Sequence, residues 1–273
     1  MTAEVPARAA VGTRGPTAPI GEGERRRDGA RSTLVWDVLQ EVVAARAALA
    51  GRARLDIVDV GGGTGGFAVP FAALGHRVTV VDPSPDALAA AQRRAAEMRV
   101  TLTAVQGDAG ELHALVGDGA ADLVICHNVL EYVDSPAAAM AAIARVLRPG
   151  ATVSVLAANT VAAVLRRALA GRYAEARQLL AAEGSGEPAG AADGVPRRFT
   201  LAGLTALIEG AGLRAGDAHG IRVFAGLLPG GAGGAMAAAD PAAADELRAL
   251  EAAAAVYPAL RDIAARLHVL GHR

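Results

Sequence analysis

From residue 55 onward the chain alternates between short, almost wholly apolar runs and longer stretches in which apolar positions recur three and four residues apart. The runs are rich in β-branched residues and predict strands at 55–60, 77–81, 101–106, 122–126 and 151–157. The intervening stretches predict helices at about 65–74, 85–97 and 136–147, with an irregular or helical segment reaching residue 117. Strands that stay apolar at nearly every position are those buried on both faces. Strand, helix, strand in this order predicts an α/β fold, a doubly wound and mostly parallel sheet.

The flanks read differently. Leu34, Val35, Val38, Leu39, Val42 and Val43 recur at helical spacing, and Ser32 is placed to cap that helix. Residues 1–28 have too few periodic apolar positions to offset the entropy of ordering, which predicts a disordered tail and a folded domain over 29–273. Beyond Asn159 a helix of about 160–183 carries several arginines, and the run Gly184 to Gly194 then breaks all regular structure. Residues 160–212 therefore read as a substrate-side helix and lid region with a flexible loop at 184–195. A helix at 200–211, a strand at Ile221 to Phe224, a loop at Gly230 to Gly234 and a helix of about 240–267 interrupted near Pro258 follow, and Leu267 to Leu270 read as a terminal strand.

Composition narrows the class. With 273 residues, 52% of them hydrophobic, the chain can bury a full core. Its net charge of −1 advertises neither a nucleic-acid nor a membrane surface as a global partner. No apolar run is long enough to span a bilayer, residues 1–30 lack the pattern of a secretory signal, and a single cysteine, Cys126, suits a reducing compartment, so the chain reads as cytoplasmic. All 27 basic side chains are arginine, which excludes a P-loop lysine; no metal-ligand spacing and no Gly-x-Ser-x-Gly turn occur.

The chemistry gathers at the carboxyl ends of the predicted strands. Asp59-Val-Gly-Gly-Gly-Thr-Gly-Gly66 ends one strand and opens a helix, where glycines let the backbone turn tightly and approach a ligand. Gly61, Gly63 and Gly66 also satisfy the dinucleotide fingerprint, so the turn alone leaves two cofactors open. Asp59 shifts the balance, because a carboxylate there suits a cationic amino-acid moiety and repels a pyrophosphate. Asp82, followed by Pro83, ends the second strand, where a carboxylate can accept from both ribose hydroxyls. Asp108 and Ala109 follow the third strand and can read an adenine edge, while His127 and Asn128 stand at the mouth of the crevice after the fourth. Arg148-Pro-Gly150 reads as a structural helix stop.

In order and spacing, Asp59 to Gly65, Asp82, Asp108-Ala109, Asp122 to Glu131 and Arg148-Pro-Gly150 resemble the successive motifs of class I S-adenosylmethionine-dependent methyltransferases. That resemblance implies a Rossmann-like sheet of seven strands, the final one antiparallel, and S-adenosylmethionine as cofactor. A narrower likeness, carried by Gly29 to Trp36, Val129 to Val133, Gly220 to Phe224 and Leu267 to Leu270, is to the bacterial tRNA carboxymethoxyuridine methyltransferases, which methylate a carboxylate on a wobble uridine. It implies cofactor contacts from Arg31, Asp59, Gly61, Gly62, Gly63, Gly65, Asp82, Pro83, Asp108, Ala109 and His127. The chain departs from that family before the substrate-region helix, where the basic stretch is reduced to Arg197-Arg198.

Methyl transfer by in-line displacement needs alignment more than acid–base chemistry, and a carboxylate acceptor would need no general base. For a tRNA acceptor, Asn128, Tyr132, Arg166, Arg167, Arg172, Arg197, Arg198 and Arg222 are the candidate substrate contacts, since guanidinium pairs with phosphate and carboxylate alike. The near-neutral charge equally suits a small-molecule acceptor under a lid formed by residues 160–200. An NAD-dependent oxidoreductase and a cofactor-binding module without catalysis complete the alternatives.

Overall fold

The computed structural model describes residues 33–182, 193–227 and 240–273. The predicted tail, Ser32, Arg31, the loop at Gly230 to Gly234 and most of the 184–195 loop lie outside them.

Seven strands form one sheet: β1 (Asp56–Val60), β2 (Arg77–Asp82), β3 (Thr103–Gln106), β4 (Ala121–His127), β5 (Leu147–Ala158), β6 (Arg214–Ile221) and β7 (Arg266–His272). Their order is β3-β2-β1-β4-β5-β7-β6. Every neighbouring pair is parallel except those made by β7, which runs antiparallel to both β5 and β6. This is the doubly wound sheet that the sequence pattern predicts, with the antiparallel final strand that the family resemblance implies. The chain reverses its direction of travel between β1 and β4, so a crevice opens there at the carboxyl ends of the strands.

Alternate residues of each strand feed two cores. Val58, Val60, Val124, Cys126, Val153 and Val155 face α5 (Pro136–Val146) and α8 (Leu201–Gly210) through Met140, Ile143, Leu204 and Ile208. Ile57, Leu123, Ile125 and Leu156 face α1 (Thr33–Ala50) and α2 (Ala68–Ala73) through Val35, Leu39, Val43 and Phe71. A fully buried Leu39 or Ile143 contributes about 1.5–3 kcal/mol each. Side-chain caps start the helices where the sequence offers them: Ser84 caps α3 (Pro85–Glu97), Ser135 caps α5 and Thr200 caps α8. Between β3 and β4 lie a single 3₁₀ turn, Ala109–Glu111, and α4 (Leu112–Val116).

Four expectations shift. The helix expected from about residue 65 starts at Ala68, because residues 63–67 are taken up by turns. The single helix of 160–183 is two, α6 (Thr160–Leu169) and α7 (Tyr173–Ala182), parted at Gly171, whose φ of 75° no helix continues through. The strand expected at Ile221 to Phe224 ends at Ile221; it starts instead at Arg214, and residues 223–227 turn away. That turn is held by Glu251, whose carboxylate accepts from the backbone N–H groups of Val223, Phe224 and Ala225 at 2.7, 3.0 and 2.8 Å. Finally, α5 ends at Val146 and Arg148-Pro-Gly150 forms the irregular start of β5. The last long helix breaks at Pro258 as expected, into α9 (Pro241–Val256) and α10 (Pro258–Arg261).

Arg148 belongs to an ion cluster at the amino end of the sheet. Asp122, fully buried, accepts from Arg46, Arg52 and Arg148 and from the backbone N–H of Asp56. Burial raises the pKa of Asp56, but hydrogen bonds from Arg77 and Arg148 outweigh it and hold the carboxyl at about 2. The cluster staples α1 to the foot of β1 and β4. Among the described residues, no helix is long and apolar enough to cross a membrane.

Candidate active site at the carboxyl ends of the strands

β1 delivers the Gly-rich turn directly into the crevice. Gly61 has a φ of 63°, and a Cβ there would overlap the Val129 side chain, so only glycine serves. At Gly62 a Cβ would come within 2.6 Å of the Asp59 carboxyl carbon, so the backbone lies flat against that carboxylate. Over Gly63 and Gly66 the space is open: a Cβ on Gly63 meets nothing closer than 3.9 Å and one on Gly66 nothing within 4 Å. Gly65 N–H donates to Gly62 C=O at 2.9 Å and closes the turn.

Asp82 anchors this turn from β2. One oxygen accepts from Gly63 N–H at 2.9 Å and the other from Ser84 N–H at 2.9 Å. The neighbouring loops are tied in series: Gly107 N–H donates to Asp82 C=O, and the Gln106 side chain donates to the Pro83 carbonyl. Asp108 caps the 3₁₀ turn through Gly110 N–H at 2.9 Å, and Ala109 is buried beneath it. The structure thus brings Asp59, the glycines, Asp82, Pro83, Asp108, Ala109 and His127 to one end of one sheet.

Asp59 is 3% exposed, accepts from the backbone N–H of Ala68, and feels the charge of a second carboxylate, Asp82. Burial first, and Asp82 second, push its carboxyl up to about 7. A carboxylate held this way has an unmet demand for a cation.

His127 ends β4 on the same sheet face as Ile125, with its ring edge-on to Phe67 at 4.9 Å; Phe67 in turn lies near Trp36 of α1. Its Nε2 bonds Ser154 Oγ at 2.7 Å, and its Nδ1 is buried without a hydrogen-bond partner among the described residues. Burial pulls the imidazolium pKa down to about 3, so the ring is neutral.

The candidate substrate contacts divide. Asn128 takes a φ of 57° and accepts from Arg266, and Tyr132 is 38% exposed. Arg197 donates to the carbonyls of Leu130 and Val133, and Arg198, its side chain 4% exposed, grips Asp193 through both carboxylate oxygens. Both point into the protein rather than out to a polyanion. Arg166 and Arg222 are exposed. Arg167, also a candidate for phosphate, is instead buried and bonded to Asp193 and Glu175. Sequence reasoning missed Glu131, whose buried carboxyl accepts from Ala158 N–H while burial pushes its pKa up. Its signal was present only as a charged residue within the largely apolar run Val129 to Val133.

The sheet order and the crevice are those of a fold shared by S-adenosylmethionine-dependent methyltransferases of solved structure. Residues 58–155 match the family described as a methyltransferase domain. The tRNA 5-carboxymethoxyuridine methyltransferase of Escherichia coli (strain K12) is 30% identical over 149 residues, covering 52% of this chain and 54% of that protein. A ubiquinone biosynthesis O-methyltransferase of Xanthomonas campestris pv. campestris (strain B100) is 34% identical over 139 residues, 51% of this chain and 56% of that protein. The chain therefore spans about half the length of the curated relatives it matches. An S-adenosylmethionine-dependent methyltransferase from Mesorhizobium loti shares the fold at 22% identity and a TM-score of 0.51, covering 81% of this chain and 91% of that one. A (4+2)-cyclase shares it at 21% identity and a TM-score of 0.56, covering 87% and 80%. A fold that also hosts a cyclase does not by itself specify the reaction.

Proposed function

We propose that this chain transfers the methyl group of S-adenosylmethionine to a nucleophilic oxygen or nitrogen of a small molecule. The observation that carries the reading is Asp59, a buried carboxylate in want of a cation, pressed against a glycine turn that leaves open space above Gly63 and Gly66. A ligand bearing an ammonium and a sulfonium meets that demand, and when bound it supplies an electrophilic methyl. In this reading Asp59 and Gly61 to Gly65 hold the amino-acid end, Asp82 with Pro83 the ribose, and Asp108 with Ala109 the adenine. His127 and Phe67 wall the reacting centre and exclude water. Holding nucleophile and methyl in line accounts for a large share of the acceleration, on the order of 7–11 kcal/mol in favourable intramolecular models. Arg31 is proposed as a further cofactor contact on the family resemblance alone.

The acceptor is assigned to the small-molecule class because Arg197 and Arg198 are spent on the protein's own carbonyls and on Asp193. The relative from Escherichia coli favours a second reading, a carboxylate on tRNA, for which exposed Arg166 and Arg222 would meet phosphate. Labelled S-adenosylmethionine, incubated with the protein and either the low-molecular-weight or the RNA fraction of a cell extract, separates the two. Label entering the small-molecule fraction supports the proposal. Label entering RNA alone, lost on RNase treatment and accompanied by tRNA binding that weakens steeply with salt, replaces it with the second reading.

Asp59 also predicts a pH dependence. Its folded pKa, about 7, lies above the unfolded value of 3.8, so its protonated form stabilises the ligand-free fold below pH 4 and that contribution is lost as pH rises to 7. Cofactor binding runs the opposite way, because the cation needs the ionised form. Affinity for S-adenosylhomocysteine is expected to climb by up to about tenfold per pH unit on approaching 7 and to level off above it. Calorimetric titration of Asp59→Asn should give weaker binding with a flat profile over the same range; an unchanged slope would remove Asp59 from the cofactor site.

A further inference from the structure

His127 is the first member of a buried row that crosses half the sheet. The strand registers align His127 on β4 with Leu156 on β5, Leu156 with His268 on β7, and His268 with His219 on β6. Leu156 would interrupt the row, but Ser154, two residues earlier on the same face of β5, supplies a hydroxyl in its place. Ser154 Oγ lies 2.7 Å from His127 Nε2 and 2.8 Å from His268 Nε2, and His268 Nδ1 lies 3.3 Å from His219 Nδ1. Ser154 and His268 are fully buried, while His219 is 9% exposed and sits on the edge strand. One end of the row is the crevice, and the other is the rim of the sheet.

Each of the three contacts has room for one proton, so the row can have only two polarities. In one, His127 Nε2–H donates to Ser154, Ser154 O–H to His268 Nε2, and His268 Nδ1–H to His219 Nδ1, leaving a bare lone pair at His127 Nδ1. In the other, every bond is reversed and His127 Nδ1 carries the proton. The first is favoured at the far end, since it keeps Nε2 of His219 protonated where Asp217 of β6 and Glu41 of α1 outnumber Arg261 of α10. Among the described residues, the titratable groups acting on His268 are the other two histidines, and burial keeps both it and His127 neutral.

We propose that His127, Ser154, His268 and His219 form a proton relay that lets His127 deprotonate a neutral hydroxyl or amine acceptor in the crevice and discharges the proton at the β6 edge. This rests on the methyl-transfer reading of the crevice and sharpens it, because a carboxylate acceptor would have no proton to give. As the acceptor's lone pair forms its bond to the methyl carbon and the carbon–sulfur bond breaks with its electrons going to sulfur, the acceptor's proton passes to His127 Nδ1. The Nε2 proton of His127 moves to Ser154, that of Ser154 to His268 Nε2, that of His268 Nδ1 to His219 Nδ1, and that of His219 Nε2 to solvent. The reverse passage, ending on water in the emptied crevice, restores the starting polarity. A lone imidazole this deeply buried is a poor base because it cannot hold the cation. In the row it never has to, since one proton leaves as another arrives.

Long-range nitrogen NMR of the imidazole rings in the full chain tests the connectivity without turnover, using wild type, Ser154→Ala and Ser154→Thr. The wild type is expected to show His127 protonated at Nε2 and bare at Nδ1. Ser154→Ala should change the nitrogen shifts of both His127 and His268, Ser154→Thr should restore them, and S-adenosylhomocysteine affinity should stay within threefold in all three proteins. Turnover on the low-molecular-weight extract fraction should fall about tenfold or more in Ser154→Ala with the cofactor KM unchanged, and Ser154→Thr should recover it. Shifts at His127 that ignore the Ser154 hydroxyl, or full turnover in Ser154→Ala, would overturn the relay. A wild type that binds S-adenosylhomocysteine but methylates nothing would count against the methyl-transfer reading instead, and the NMR result would still decide the relay.

Discussion

Replacing Asp82 with alanine is expected to weaken S-adenosylhomocysteine binding by about a hundredfold or more while leaving the sheet folded. Its two oxygens hold Gly63 N–H and Ser84 N–H at 2.9 Å each, so the carboxylate fixes both the glycine turn and the start of α3. A hydrogen bond to a charged group contributes about 1.5–3 kcal/mol. Losing the pair therefore frees the turn by more than the roughly 2.7 kcal/mol that corresponds to two decades of affinity, before any lost ribose contact is counted. Asp82→Asn, which keeps one acceptor oxygen, should fall between the two. Calorimetry gives the affinity and circular dichroism the fold. An alanine variant binding within fivefold of wild type would mean that the turn is held by its own backbone and that Asp82 does not meet the ligand.

The largest loss of stability is expected at the opposite end of the same strands. Asp122→Ala strands the guanidinium groups of Arg46, Arg52 and Arg148 around a buried hole and leaves Asp56 N–H without its acceptor. Breaking a buried ion pair on one side costs about 3–5 kcal/mol, and because these arginines reach solvent the lower end, about 3 kcal/mol, applies. For a domain of this size that corresponds to a fall of about 6–12 °C in the melting midpoint. Asp122→Asn keeps the Asp56 contact and should lose less. Cofactor affinity of the folded fraction should stay unchanged in both variants, since the cluster lies at the amino ends of strands whose carboxyl ends carry the site. A midpoint within 2 °C of wild type for Asp122→Ala would show the arginines to be adequately solvated without their partner.

The legible parts of this chain are those where burial and chemistry coincide in short stretches. β1, β2, β4 and β5 announce themselves because a strand covered on both faces is apolar at nearly every position, and the Asp59 to Gly66 turn is readable because several glycines in succession have few structural uses. β6 was misplaced for the converse reason. Arg214 to Gly220 is half polar, it lies at the sheet edge, and its pairing with β7 shifts between Ala215 and Ala218, so nothing in its own composition announces a strand. The inward turn of Arg198 and the burial of Arg167 depend on Asp193, a residue of the Gly-rich segment whose arrival no local pattern predicts. The histidine row is further still from view. His127, Ser154, His268 and His219 belong to four strands, and only the registers of three strand pairings bring them into line.

The placement of β7 between β5 and β6 has a consequence for how the protein is made. β6 leaves the ribosome before β7, yet its only neighbour in the sheet is β7, so during synthesis it waits as an unpaired strand while residues 222–265 are added. The first five strands can assemble in the meantime, each after β1 finding a partner already present. β6 and β7 then close as one late event, a long-range pairing of the kind that is slow and exposed to wrong partners. His219 and His268 meet only in that step. A nascent chain caught before it holds the glycine turn complete but has no path for a proton out of the crevice.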